Sequence, residues 1–280
     1  TFDHWSPSPT VHGAGYAEEF LKKRGYNWIC IKTNINDWWQ SDEFDDLAAV
    51  VRRATLGRRL VGYGGSMGGF GAINHAELLG LSSVVCVAPQ YAIGDAVPWE
   101  HRWRDDAEKI AFKRYYMNRE RRLRSGYIIC DPWSMDGRHA ALIQQRHDVT
   151  VIPVYGSDHY PGIVLQECRL FDELVQGLFV GRLDLPSVLA NLRRKRRGSQ
   201  TYLLSVGHRL VARKRLKLGL EFANAARALP DEMDFSRTVQ YSSILAASGR
   251  GGEAVAALAP FAFLPGSADY ARSLIRNWLA

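Results

Sequence analysis

Three residue types that together turn a hydroxyl into a nucleophile stand far apart in this chain, as Ser66, Asp131 and His159. A serine hydroxyl is too weakly acidic to attack a carbonyl at neutral pH. It needs an imidazole to take its proton and a carboxylate to hold that imidazole. Ser66 lies in Leu60-Val61-Gly62-Tyr63-Gly64-Gly65-Ser66-Met67-Gly68-Gly69-Phe70-Gly71, where an apolar run meets small residues that open a helix. A strand turning sharply into a helix strains the apex residue and lifts its side chain clear of the sheet edge. Gly64, Gly68 and Gly69 carry no side chain to collide there. The turn also aims the Met67 N–H at the place where charge would build on an attacked carbonyl. His159 follows the apolar run 149–155, and Asp131 is the first polar residue after the run 127–130, with Pro132 ending that strand. Asp136 is the rival for the acid role, whereas Asp158, next to His159, suits a turn cap.

These residues need a scaffold that brings distant strand ends together. Residues 1–3, 26–33, 59–62, 83–88, 126–130 and 149–155 read as strands; 14–24, 42–55, 68–79, 137–145 and 163–178 read as helices between or after them. In 42–55 the apolar face is Phe44, Leu47, Ala48, Val50 and Val51. Regular alternation of the two implies an α/β fold, a mostly parallel sheet with helices on both faces and its site at the carboxyl ends of the strands. Position disposes of the other histidines as bases. His147 precedes a strand, His75 and His139 lie within helices, and His208 falls in the later region.

The order Ser66, Asp131, His159, each just past a strand, resembles the α/β-hydrolase superfamily, and Gly64-Gly65-Ser66-Met67-Gly68 is its most specific element. The resemblance covers roughly residues 1–181. It implies a serine esterase or acyl hydrolase working through an acyl-serine, with neither metal nor organic cofactor. It also implies a second oxyanion donor from the loop after the first strand, a backbone N–H of His4 or Trp5. The superfamily usually has further strands before the position of Thr1, which suggests an N-terminal truncation or a reduced sheet.

Between the strands 83–88 and 126–130 the rhythm breaks. Residues 90–125 mix Trp99, His101, Trp103, Tyr115 and Tyr116 with Arg102, Arg104, Lys109, Lys113, Arg114, Arg119, Arg121, Arg122 and Arg124. An insertion leaving and re-entering the site edge reads as a helical lid. Its arginines, Arg102 among them, and aromatic rings such as Trp99 suit a polar or anionic substrate, and a small O-acyl ester on a sugar-like molecule or glycan is the expected class. Trp38 and Trp39 stand in a loop at the same edge and read equally well as a wall for substrate or as packing under the lid. His12, in the loop after the first strand, is a further candidate for binding substrate. Transfer of the acyl group to an acceptor other than water fits the same residues.

The 280 residues carry a net charge of +7 and 46% hydrophobic residues, ordinary for a globular chain. Nothing approaches the roughly 20 apolar residues of a transmembrane helix. Cys30, Cys86, Cys130 and Cys168 lack metal-ligand spacing and read as reduced thiols of a cytoplasmic protein. From Gly181 onward no strand is expected. Helices are read at 186–192, 202–228, 235–247 and 253–258, the last two forming a pair that weakly resembles a tetratricopeptide unit. The expected domains are therefore 1–180, with the lid at about 90–125, and a helical region at 181–280. That region is a candidate surface for a protein partner, and a non-catalytic adaptor is the alternative function. The run Arg193-Arg194-Lys195-Arg196-Arg197 lacks interleaved aromatics, so it reads as an exposed linker and nucleic acid is not an expected ligand.

Overall fold

The computed structural model describes residues 1–112 and 123–279. The chain divides into two compact units, one of Thr1–Pro161 and Val175–Leu183, the other of Gly162–Leu174 and Asp184–Ala280. The expected boundary near residue 180 is thus crossed by a short exchange, since 162–174 groups with the second unit.

In the first unit, helices α1 (Glu18–Lys23) and α2 (Phe44–Ala54) precede strand β1 (Val61–Gly65). Helices α3 (Met67–Asn74) and α4 (Ala76–Leu79) follow, then β2 (Ser83–Val87), α5 (Arg104–Lys109), β3 (Gly126–Cys130), α6 (Met135–Arg146) and β4 (Val149–Pro153). The four strands pair in parallel in the order β1-β2-β3-β4. Every residue of β2 is buried, which follows from helices lying on both faces of a parallel sheet. The strands expected at 1–3 and 26–33 reduce to single parallel bridges, Phe2 to Ile31 and Phe2 to Gly64. Trp28 and Ile29 are more than a third exposed, and the pairing stops at Ile31. These bridges still extend the sheet beyond β1, and the chain order reverses between Phe2 and β1. A crevice at the carboxyl ends beside such a reversal is where α/β sheets hold their ligands.

Helix α2 buries Phe44, Ala48 and Val51 but leaves Leu47 and Val50 exposed, so its apolar face is narrower than the sequence suggests. Among its described residues, the insertion after β2 contains one short helix, α5, and a turn at Gly94–Ala96. Its stretch carrying Lys113, Arg114, Tyr115, Tyr116, Arg119, Arg121 and Arg122 lies outside the described residues.

In the chain order, α7 (Pro161–Glu167) and α8 (Phe171–Val180) replace the single helix expected at 163–178. The break falls at Arg169, whose φ is 55°. The second unit continues with α9 (Leu185–Lys195), α10 (Gln200–Ala212), α11 (Leu216–Arg227), α12 (Phe235–Ala247), α13 (Gly251–Leu258) and α14 (Ala268–Leu279). The expected helix 202–228 is in fact α10 and α11, separated at Lys214 with φ 61°, and α14 has no counterpart in the sequence reading. The basic run closes α9 and continues as a 3-10 turn; four of its five residues are exposed, as expected, but it is helical and not a free linker. Gly207 and Gly219 let α10 and α11 touch. A methyl group on either would stand 3.0 to 3.1 Å from the other's carbonyl oxygen. Ser242 in α12 and Ala254 in α13 are likewise fully buried small residues. Among the described residues no helix is long and apolar enough to cross a membrane.

Candidate functional site

The turn after β1 is built from backbone contacts that only glycine permits. A Cβ on Gly64 would lie 2.4 Å from the Gly68 carbonyl, and one on Gly68 would lie 2.5 Å from the Phe2 carbonyl oxygen. With those contacts closed, Ser66 is held at φ 50°, ψ −121°. That conformation costs a residue other than glycine about 1–3 kcal/mol and persists only when its surroundings fix it. The Ser66 N–H donates to the Val87 carbonyl at 2.9 Å, and the Ser66 carbonyl accepts from the Phe70 N–H at 3.0 Å. The hydroxyl is left at the head of the turn.

Two acceptors stand within reach of it. His159 Nε2 is 3.2 Å from Ser66 Oγ, and Gln90 Oε1 is 3.3 Å away. Gln90 is fully buried in the loop after β2 and anchors its amide on the Ala88 carbonyl. It was not a candidate from sequence, because a glutamine after a strand carries no signal of its own. His159 sits in the loop after β4, where Gly156 (φ 81°) and Asp158 (φ 51°) turn the backbone.

The carboxylate that holds His159 is Asp136, at 2.7 Å from Nδ1 to Oδ2, and not Asp131. Asp131 is fully buried, but its two oxygens accept from the N–H groups of Trp133, Gly156 and Asp158. Those bonds shape the loop that carries His159 and leave the carboxylate no freedom to turn toward the ring. Asp136 lies in the first turn of α6, next to the N-cap Ser134, which accepts from the Asp136 N–H at 3.1 Å. The serine cap and the first-turn aspartate both stabilise the start of α6, which fixes the position of Asp136. Burial opposes ionisation of its carboxyl. The hydrogen bond and charge of His159, with the charge of Arg102, outweigh that and hold it below the ordinary carboxylate range. A carboxylate oxygen at 2.7 Å requires the proton on Nδ1, so Nε2 faces Ser66 with its lone pair.

Arg102, expected to meet substrate, turns inward. Its guanidinium donates to both oxygens of Glu100 and to Asp136 Oδ1 at 2.7 Å, and Nη1 lies 3.2 Å from His159 Nδ1. Glu100 in turn meets His139 Nε2 at 2.9 Å, while His139 Nδ1 accepts from the Tyr91 N–H at 3.1 Å. Burial is the largest influence on His139 and drives it below the ordinary histidine range, so it is neutral and donates through Nε2. Burial also opposes the charges of Glu100 and Arg102, but their mutual bonds prevail in both.

The tryptophans divide. Trp38 and Trp39 are buried, at 0% and 2% exposure, and form no wall open to a substrate. Trp39 donates to the Met67 carbonyl at 2.9 Å and stacks edge-on against Phe2. Trp38 donates to Asp106 at 2.9 Å and packs against Phe70 and Trp103. Trp99 packs against His139, and the Arg138 guanidinium lies 3.9 Å from its ring centre, so among the described residues it adjoins the site through that histidine. Trp103, from the insertion, has its ring 6.1 Å from His159 and 5.9 Å from Trp5. The indole N–H groups of Trp5 and Trp103 are buried and meet no acceptor among the described residues. The backbone N–H groups of His4, Trp5 and Met67 likewise make no hydrogen bond among the described residues. His4 and His12 line a cavity of about 360 Å³ with Ser6, Thr10, Tyr16 and Lys32. The Lys32 ammonium is already bound to the carbonyls of His12, Gly13 and Ala14.

His75 and His147 are buried away from this site. His75 is fully buried, stacked on Phe44 with a ring nitrogen 3.1 Å from the Trp39 carbonyl oxygen, and His147 accepts from the Leu123 N–H. No protein-family model, curated protein or solved structure matches this chain.

Proposed function

We propose that the first unit is a serine esterase or acyl hydrolase of the α/β-hydrolase type, acting through Ser66, His159 and Asp136. The observation that carries this reading is the unbroken line from Ser66 Oγ to His159 Nε2 at 3.2 Å and from His159 Nδ1 to Asp136 at 2.7 Å, with Ser66 at a strained apex. A ground-state structure without substrate often shows such bonds somewhat long.

In the reaction, Ser66 Oγ attacks the carbonyl carbon of an ester or thioester as its proton passes to His159 Nε2. Negative charge moves onto the carbonyl oxygen, where the N–H of Met67 and that of His4 or Trp5 stabilise it. Collapse of the tetrahedral species expels the leaving oxygen or sulfur, which takes the proton from His159. Water then attacks the acyl-Ser66 carbonyl, again giving its proton to Nε2, and the acid departs as Ser66 recovers the proton. Asp136 keeps Nδ1 protonated and balances the imidazolium throughout. Once Ser66 donates to His159, Gln90 no longer has that proton to accept.

A small, neutral, hydrogen-bonding substrate suits the surroundings best. Arg102 and Lys32 are engaged by carboxylates and carbonyls, so neither is available to an anion, and the idle indole N–H groups of Trp5 and Trp103 suit acceptor oxygens. Trp103, from the described part of the insertion, stands 6.1 Å from the His159 ring and suits a covering role there. A small acyl group on a sugar-like alcohol remains the specific expectation.

A fluorophosphonate probe tests the chemistry. Wild-type protein is expected to be labelled, with labelling abolished in Ser66→Ala and reduced at least a hundredfold in His159→Ala. An unlabelled wild type, or labelling that survives Ser66→Ala, rejects the reading. Across a series of acetyl to decanoyl esters, turnover should fall with chain length; a steady rise would overturn the small-acyl assignment.

A further inference from the structure

The catalytic scheme above needs a carboxylate beside His159, yet it does not call for a guanidinium there. Arg102 nevertheless touches both: Nη2 binds Asp136 Oδ1 at 2.7 Å, and Nη1 stands 3.2 Å from His159 Nδ1. We infer that Arg102, itself fixed by Glu100 and His139, is a positioning residue that locks the Asp136 carboxylate and, as a fixed cation beside the ring, tunes the pH dependence of Ser66 reactivity. The inference rests on the Ser66–His159–Asp136 reading.

Each Asp136 oxygen has one partner from a different element, Oδ1 from the insertion and Oδ2 from the loop after β4. With both engaged, the carboxyl plane cannot rotate away from the ring. Arg102 is held in its turn, because Nε and Nη2 bind Glu100 and the Arg102 N–H also donates to Glu100 Oε1 at 3.0 Å. Glu100 is completed by neutral His139, which is pinned by Tyr91. The side chains of Glu100, Asp136 and His139 are shielded from water.

The contact at Nη1 cannot be an ordinary hydrogen bond. The His159 Nδ1 proton points at Asp136, so that nitrogen offers no lone pair to Arg102. What remains is a fixed cation 3.2 Å from a ring that takes up a proton during the reaction. Glu100 and Asp136 bring two negative charges against the single positive charge of Arg102. The cluster therefore carries one net negative charge, which the imidazolium neutralises when Ser66 gives up its proton. The other neighbours are common to all the variants compared below and so drop out of the differences between them. Trp103 and Tyr160 present neutral rings to His159. Burial pushes the Cys130 thiol, close to Asp136, up to about 12. The Asp131 carboxylate is taken up by three backbone N–H groups, and Asp158 turns the loop.

Changing the charge count should move the acid limb of reactivity in opposite directions. The test is the rate constant for fluorophosphonate labelling of the full chain, measured against pH for wild type, Arg102→Met, Arg102→Lys and Glu100→Gln. Removing the cation in Arg102→Met should shift the limb to higher pH by about one unit, the size expected for a charge within a few ångströms. Glu100→Gln should shift it to lower pH, and Arg102→Lys should stay near wild type while losing part of the plateau rate. Simple loosening of the site would lower all plateaus and leave the limbs together; that result overturns the inference. Should Arg102→Met fail to fold, an unmoved limb in the isosteric Glu100→Gln overturns it equally. A wild type that is not labelled, or is labelled without Ser66, removes the parent reading and the inference with it. A labelled, Ser66-dependent wild type with unmoved limbs removes the inference alone.

Discussion

The end of β3 and the first turn of α6 each hold a fully buried aspartate, five positions apart, and the two do opposite work. Asp131 spends its carboxylate on three backbone N–H groups and thereby builds a loop. Asp136 keeps one oxygen for His159 and one for Arg102. Ser134 stands between them, donating its hydroxyl to the Asp131 carbonyl at 2.8 Å and accepting from the Asp136 N–H at 3.1 Å. A carboxylate surrounded by main-chain donors is a structural element. One whose partners are side chains from other elements can serve chemistry, because those partners can change charge during a reaction.

Substitution at the two positions should separate these roles. Asp136→Asn is expected to lower the fluorophosphonate labelling rate by roughly 10³–10⁴-fold, as loss of the correct histidine tautomer does, while circular dichroism reports a folded chain. If the variant labels at the wild-type rate, Asp136 is not the acid. Asp131→Asn should act the other way. Leaving a buried array of N–H groups short of a charged acceptor costs about 3 kcal/mol, read as a fall in the urea midpoint, with the folded fraction labelling within about tenfold of wild type. A folded Asp131→Asn protein that has lost all labelling would invert the comparison.

Acid should expose the same difference. The Asp136 carboxyl is held below its ordinary range, so it stabilises the fold fully above the unfolded-state value of about 3.9. That contribution is lost as pH falls through the lower folded-state value. Wild type should therefore lose more stability than Asp136→Asn between pH 5 and pH 3, measured by urea unfolding at each pH; equal losses would mean that Asp136 is not held below its ordinary range. The smallest effect is expected at the junction. Ser134→Ala removes the helix cap, a loss of about 1 kcal/mol, and should reduce labelling less than tenfold. A larger kinetic loss with unchanged stability would show that the cap orients Asp136 as well as holding α6.

The elbow could be read before any coordinates because its requirement is local: Gly64 and Gly68 admit backbone at distances that no side chain allows. The strands β1 to β4 could be read for a similar reason, as short apolar runs between helices. Breaks at Arg169 and Lys214 could not, since both residues adopt positive φ without the glycine or proline that would announce it. Trp38 and Trp39 were open to two readings because burial is not a property of an isolated loop; here they pack around Phe70, Phe2 and the Met67 carbonyl.

Sequence alone determined that a serine stands at a strand-to-helix apex and that a histidine follows a later strand, because both statements depend on neighbours along the chain. It also limited the carboxylate beside His159 to Asp131 or Asp136. Only the tertiary structure decided between them, placed Gln90 beside Ser66, and assembled Glu100, Arg102 and His139 behind the carboxylate. Those choices depend on which polar groups a folded chain leaves unpaired, and hydrogen-bond partners contributed by separate elements have no signature in spacing.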